Sequence, residues 1–262
     1  MIGTSDIYAL AKLFTLQWRN ASAMRASFAI QVFGMAINNG GIMVAWVLFM
    51  GAFGTVNGWG APDVVGMLGV GGLSYGLAYL FCHGAATFAF AIRNGTFDSY
   101  LLRPRRLLPL VWRSAFAVPT IGDCVYGTAM IALAVWLSSG TVGTFFMAIT
   151  LAIPAAMVLV AVSTIINSYS FWFPEDRTTG DMIFRVFITP SMYPVGAFPT
   201  VLRVIFTVII PSILVSGLPW DAARQHAPLL FAASWFAGFA WLGIAALVFR
   251  AGLKRYESGG GV

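Results

Sequence analysis

The chain has 262 residues, of which 59% are hydrophobic and only 9% are charged, and its mean hydropathy is +0.84. Soluble globular domains contain about 45–50% apolar and about 25% charged residues, so this chain has too few charges to cover the surface of a soluble fold. The composition excludes a soluble enzyme, a disordered chain and a nucleic-acid-binding protein, in spite of the formal net charge of +6. We therefore predict an integral membrane protein that binds no nucleic acid.

The first predicted element is a helix over residues 5–22. Its apolar side chains crowd one face, and the stripe ends in Trp18 and Arg19. Such a stripe suits an elbow helix that lies in the membrane interface. The alternative is a cytoplasmic extension of the first transmembrane span.

The predicted spans follow from long apolar runs. A hydrocarbon core about 30 Å thick needs about 20 apolar residues per helix. The region 182–217 is long enough for more than one crossing, but four prolines interrupt it, and carbonyls freed by proline need partners at membrane depth. We therefore predict one short span there, followed by a re-entrant element over 198–217. The six spans are 27–53, 64–91, 110–138, 143–169, 182–197 and 227–249.

The fold class is accordingly all-α integral membrane, with six transmembrane helices, an N-terminal interfacial elbow helix and a re-entrant element between spans five and six. A single domain covers residues 1–262. Placing both termini in the cytoplasm leaves only Arg203 and Arg224, of fifteen basic residues, on the outer side. The positive-inside rule thus predicts a multi-pass protein of the cell (inner, cytoplasmic) membrane with both termini cytoplasmic.

The second span has a face of small residues. Glycines three and four positions apart let another helix approach closely. We predict that this helix packs against a neighbouring helix or a second chain through Gly66, Gly69, Gly72 and Gly76.

Polar side chains inside the spans mark a candidate substrate path. Asp123 is the only carboxylate well inside an apolar run, and an intramembrane ionisable residue is a functional hypothesis by default. It contacts either a substrate or proton, or a hydrogen-bonding partner on a neighbouring helix. The neutral residues of the first span line a cavity or bridge helices: Gln31, Asn38 and Asn39.

The loop 92–109 is short and basic. Thr96 can cap a short helix, and Pro104 stops it. The apolar face of that helix consists of Phe97, Tyr100 and Leu101. An exposed amphipathic turn of this kind suits docking into a groove on a cytoplasmic partner. The alternative is a helix that lies on anionic lipid headgroups.

Nothing in the sequence provides a catalytic, nucleotide or metal site. A Walker A loop needs Gly-x-x-x-x-Gly-Lys-Ser/Thr, and neither Lys12 nor Lys254, the only lysines, lies in such a loop. We predict a transport subunit that is not an enzyme, and any ATP hydrolysis must be performed by another chain.

The loop resembles that of type-two ABC exporter permeases, in the bacterial subfamily with a Gly-x-[Phe/Leu]-Asp-x-x-Leu-Leu-Arg-Pro stretch. The matching residues are Gly95, Phe97, Asp98, Leu101, Leu102, Arg103 and Pro104. The resemblance implies that this loop is a coupling helix, seated on a separate ABC ATPase subunit that binds ATP and Mg. The coupling residues would then be Arg93, Thr96, Phe97, Asp98, Tyr100, Leu101, Arg103 and Pro104.

The resemblance further implies a second permease chain, identical or related. It also implies ATP-driven export of a hydrophobic or amphipathic small molecule or lipid by alternating access. Two other functions remain open from the residues alone. One is an ion-coupled secondary transporter, and the other is an ATPase-coupled membrane complex that exports no solute.

Overall fold

A computed structural model describes residues 25–103, 106–176 and 178–256, so the predicted helix over residues 5–22 lies outside the described part. The described residues are helical and form no strand, apart from one isolated bridge between Val56 and Trp59. The all-α prediction is therefore confirmed for them. In chain order the helices are α1 (Arg25–Phe53), α2 (Ala61–Cys82), α3 (Gly84–Arg93), α4 (Asp98–Leu101), α5 (Leu107–Trp112), α6 (Ile121–Leu137), α7 (Val142–Ser168), α8 (Thr179–Ile188), α9 (Thr200–Val204), α10 (Gly217–Arg224) and α11 (Pro228–Leu253).

Four helical segments of the described chain are long and apolar enough to cross a membrane: Ala61–Cys82, Val118–Leu137, Val142–Phe171 and Pro228–Leu253. They lie at the predicted second, third, fourth and sixth spans. In α1 the apolar stretch that the structure describes is Gly40–Ala52. Helix α8 has ten residues, which rise only about 15 Å and cannot cross a bilayer alone. The six-span topology therefore stays a prediction.

Two of the predicted spans are broken. The second is interrupted at His83, where α2 ends and α3 begins. The third, predicted as continuous from residue 110, is interrupted between Trp112 at the end of α5 and Val118, because residues 113–117 form no regular helix. Pro119 lies in the first turn of the helical segment that follows, where its missing amide needs no partner. The Ala117 amide donates to the Tyr79 carbonyl at 3.0 Å, so the break is satisfied within the protein.

The small-residue face of α2 is covered by other helices of the same chain. A Cβ added to Gly69 would lie 2.8 Å from the Ile131 amide nitrogen of α6, and one added to Gly76 would lie 2.6 Å from Cys124 Sγ. A Cβ on Gly72 would lie 3.0 Å from the Tyr126 ring, and Gly66 packs against the indole of Trp220 in α10. Helices α2 and α6 thus meet almost backbone to backbone.

Serine hydroxyls satisfy the backbone of the proline-rich region. Ser212 Oγ donates to the Phe187 carbonyl and Ser216 Oγ to the Ser191 carbonyl, both at 2.5 Å. Ser74 Oγ of α2 donates to the Val215 carbonyl at 3.1 Å. All three serines are buried. The carbonyls freed by broken helices are therefore satisfied by protein, which is the condition for irregular backbone at membrane depth.

Candidate functional site

The loop after α3 turns sharply at Gly95, whose φ of +67° suits glycine at the end of a helix. The prediction that Thr96 caps the next helix is wrong, because α4 has no side-chain cap. The Thr96 hydroxyl instead donates to the Ala91 carbonyl at 3.3 Å, which joins the loop to the end of α3. Helix α4 therefore starts without a cap and has only four residues. Pro104, the predicted stop, lies outside the described residues.

Phe97 is fully buried, with 0% of its surface exposed. It belongs to a set of buried side chains that we call the loop cluster: Phe88, Ile92, Phe97, Val111, Phe171 and Phe249, with Tyr100 and Tyr256 half-buried beside them. The Phe97 ring centroid lies 5.4 Å from that of Phe171 and 5.2 Å from that of Tyr256. The predicted exposed docking face is therefore wrong for Phe97, which anchors the loop from inside.

The exposed apolar surface of the loop lies on the other side of α4. Leu102 is 86% exposed, and Leu101 and Arg103 are exposed beside it. The guanidinium of Arg103 lies 6.0 Å from the centre of the Tyr100 ring, within cation–π range. Leu102 was identified from the sequence only through the resemblance, because a four-residue helix does not define a face by periodicity.

A cavity of about 680 Å³ lies between α2, α6 and α8. Asp123, only 3% exposed, lines it together with Tyr75 and Tyr126. The charged residues Asp181 and Arg185 of α8 line it as well. Because the third span is broken, Asp123 lies in the first turn of α6, where a carboxylate interacts favourably with the helix dipole.

A second cavity of about 470 Å³ adjoins the first, and the two share Tyr75, Asp181 and Phe184. Arg93, at the end of α3, also lines the second cavity. The two cavities together, which we call the cleft, therefore run from the buried Asp123 towards the loop that carries Phe97. Of α1, Ile42 lines the cleft, whereas the side chains of Gln31, Asn38 and Asn39 lie outside the described residues.

A buried carboxylate in a cleft between apolar helices, next to an anchored polar loop, suits a membrane transport protein. A family model described as "ABC-2 family transporter protein" matches residues 36–260. The chain belongs to this family. No curated protein and no solved structure matches the chain.

Membership in the ABC-2 family confirms the resemblance at the level of the family, while the subfamily and its loop motif stay predictions. The chain is a multi-pass membrane protein and a membrane component of an ABC transporter. Permeases of this family associate with an ABC ATPase subunit and generally have no ATPase site of their own.

Asp176 provides a fixed negative charge where this ABC-2 protein's cleft approaches α8. The hydroxyl and amide of Thr179 and the amide of Thr178 stabilise its carboxylate and lower its pKa to about 2. Both amides lie 3.0 Å from Asp176 Oδ1. Asp176 is therefore ionised at every physiological pH. Sequence reasoning missed it because its neighbours on the cleft come from α2, α3 and α7.

A polar network joins the loop before α2 to α10. Arg224 forms ion pairs with Asp63 at 3.2 Å and with Asp221 at 2.6 Å, and its guanidinium lies 4.6 Å from the centre of the Trp59 ring. This network could not be predicted from the sequence, since Asp63 and Arg224 are 161 positions apart. Among the described residues, no group of three or more His, Cys, Asp or Glu side chains could hold a metal ion.

Proposed function

We propose that this ABC-2 protein is the permease subunit of an ATP-driven exporter. It moves a hydrophobic or amphipathic small molecule or lipid across the inner membrane by alternating access, coupled to a separate ATPase subunit that holds ATP and Mg. The observation that carries this proposal is the pairing of an internally anchored loop with a cleft that begins beside it and ends at a buried carboxylate.

The proposed topology has six spans with both termini in the cytoplasm. Helix α1 is the first span, α8 with the turns up to residue 197 is the fifth, and residues 198–217 re-enter from the outer side after it. The elbow helix over 5–22 precedes them. The support comes from family membership, from the apolar helices and from the serine bonds that satisfy the broken backbone.

The loop 92–109 is proposed as the coupling helix. Leu101, Leu102 and Arg103 form its contact surface with the ATPase, because they are the exposed residues at the end of α4. Phe97 and Thr96 hold the loop in place through the loop cluster and the Ala91 carbonyl. Closure of the ATPase subunits on ATP displaces this surface and widens the cleft on one side of the membrane.

A second permease chain, identical or related, is proposed to cover α8. Asp181 and Arg185 of this helix are exposed, next to the exposed apolar side chain of Met182. Exposing ionised side chains to lipid is costly, so they face protein or a water-filled path. A partner chain over α8 would close the open side of the cleft.

Leu102→Glu tests the docking surface. We expect this variant to keep its stability, since an exposed surface substitution typically changes the free energy of unfolding by about 0.5 kcal/mol or less. We expect it to weaken binding of the ATPase subunit by about thirtyfold, the effect of losing a central interface contact. Co-purification of the permease with its ATPase subunit, followed by titration in detergent, measures the binding, and thermal unfolding in detergent measures the stability.

Val142→Glu is the matched control, because Val142 is 72% exposed at the first residue of α7, where an acidic side chain suits the helix dipole. It should bind the ATPase as wild type does. Equal binding by Leu102→Glu and wild type would exclude the proposed docking surface.

Asp123→Asn tests the substrate path. This variant retains the shape of the side chain but replaces the carboxyl group in the 680 Å³ cavity with an amide that cannot ionise. We expect the stimulation of ATPase activity by transported compounds to fall by about fivefold or more, with the basal ATPase rate unchanged. A compound panel assayed with the reconstituted complex gives the measurement. Asp221→Asn, which changes a carboxylate outside the cleft, is the control. If transported compounds stimulated Asp123→Asn as fully as wild type, Asp123 would have only a structural role.

A further inference from the structure

The end of the last span is bonded directly to the loop. Tyr256, three residues after α11, donates a hydrogen bond from its hydroxyl to Asp98 Oδ1 at 2.8 Å. Asp98 is the first residue of α4. The two residues are 158 positions apart, so this bond joins the loop to the opposite end of the chain.

The ring of Tyr256 packs into the loop cluster at the same place. Its centroid lies 5.2 Å from that of Phe97 and 5.9 Å from that of Phe171 at the end of α7. Gly252 of α11 permits this packing, because a Cβ there would lie 2.5 Å from Phe171 Cδ2. The ends of α7 and α11 and the start of α4 thus meet in one contact.

The bond persists across the physiological pH range. Burial, together with the hydrogen bond to the Asp98 carboxylate and the charge of that carboxylate, raises the pKa of Tyr256 to about 12. The phenol therefore stays protonated and remains a donor, while the carboxylate accepts. A hydrogen bond to a charged acceptor is stronger than one between neutral groups.

Helix α4 cannot hold its own orientation, because four residues form only one turn and an isolated turn is unstable. Its orientation is set by what holds its first residues, Phe97 and Asp98. We propose that Tyr256 is a positioning residue that transmits displacement of the loop to the last span through its bond to Asp98. This inference rests on the proposed coupling to an ATPase subunit.

Tyr256→Phe and Asp98→Ala test the transmission. Tyr256→Phe keeps the ring in the loop cluster and removes only the hydroxyl. We expect each variant still to bind the ATPase subunit, because Phe97 continues to anchor the loop. We expect the ATPase stimulation produced by the permease to fall about fivefold. The double variant should lose no more than either single one. This double-mutant cycle separates the bond from other contacts of Asp98. Tyr193→Phe is the control, because Tyr193 lies outside both the loop cluster and the cleft.

A distance measurement separates transmission from mere stability. Spin labels on Ser99→Cys in α4 and Lys254→Cys after α11, in a chain with Cys82 and Cys124 replaced by alanine, report whether the two ends move together. When ATP binds to the ATPase subunit of the complex, we expect the distance between the labels to stay constant in the chain that keeps Tyr256 and to change in Tyr256→Phe.

If Tyr256→Phe showed the same ATPase stimulation and the same spin-label distances as wild type, the inference about Tyr256 would be overturned. The proposed function would not be affected by that result. Failure of the wild-type permease to bind or stimulate the ATPase subunit would instead overturn the proposed function.

Discussion

Gly127→Ala is expected to lower the free energy of unfolding of the permease by about 3 kcal/mol, the upper end of the usual cost of overpacking. The added Cβ would meet the backbone of α2, at Leu73 N and 2.7 Å from Leu73 Cα, as well as 2.6 Å from the Gly69 carbonyl oxygen. Backbone atoms cannot rotate away as a flexible side chain can, so α2 and α6 would have to separate. Thermal unfolding of the purified permease in detergent measures the loss.

Gly243→Ala is the matched control for this variant. Gly243 also lies inside a long apolar helix, α11, but apart from its chain neighbours and the backbone of its own helix no described atom lies within 4 Å of a Cβ added there. Because alanine is favoured over glycine inside a helix, the unfolding temperature of Gly243→Ala should equal or slightly exceed that of wild type. If both glycine variants were equally stable, the close contact between α2 and α6 would be contradicted.

Phe97→Ala is expected to destabilise the protein by about 3–5 kcal/mol, the usual cost of truncating a buried phenylalanine. The ring is fully buried and contacts side chains from α3, α7 and the end of the chain. The variant should also release α4 and so abolish ATPase binding. Unfolding in detergent and co-purification with the ATPase subunit give the two readings.

The comparison with Leu102→Glu separates the two roles within one loop. Leu102→Glu should lose binding with stability intact, whereas Phe97→Ala should lose both together. Phe97→Leu, which keeps part of the apolar volume, should lie between wild type and Phe97→Ala in stability. A Phe97→Ala protein as stable as wild type would contradict the internal anchoring of the loop.

The long apolar helices could be predicted from the sequence because burial in lipid requires continuous hydropathy. The predicted spans 64–91, 143–169 and 227–249 overlap α2 with α3, α7 and α11 closely. The breaks could not be predicted. His83 and residues 113–117 interrupt apolar runs, and their backbone partners, such as the Tyr79 carbonyl for Ala117, are distant in the sequence.

The candidate site was predictable in composition but not in arrangement. Asp123 and the loop residues stood out by charge and motif. The direction of Phe97 did not follow from spacing, because a one-turn helix has no face until other helices surround it. The contacts of Tyr256 and Asp181 could not be predicted, since their partners come from elements far along the chain.

The two serine bonds of the proline-rich region have a consequence for biogenesis. Ser212 donates to the Phe187 carbonyl and Ser216 to the Ser191 carbonyl, so each bond spans 25 positions. The two bonds lie four residues apart along each segment. The two bonds therefore join two segments at matching positions. Closing a loop of this length costs little chain entropy. Neither bond needs a residue after Ser216, so this hydroxyl-to-carbonyl ladder does not depend on α11. The most irregular part of the chain can thus satisfy its own backbone locally during membrane insertion.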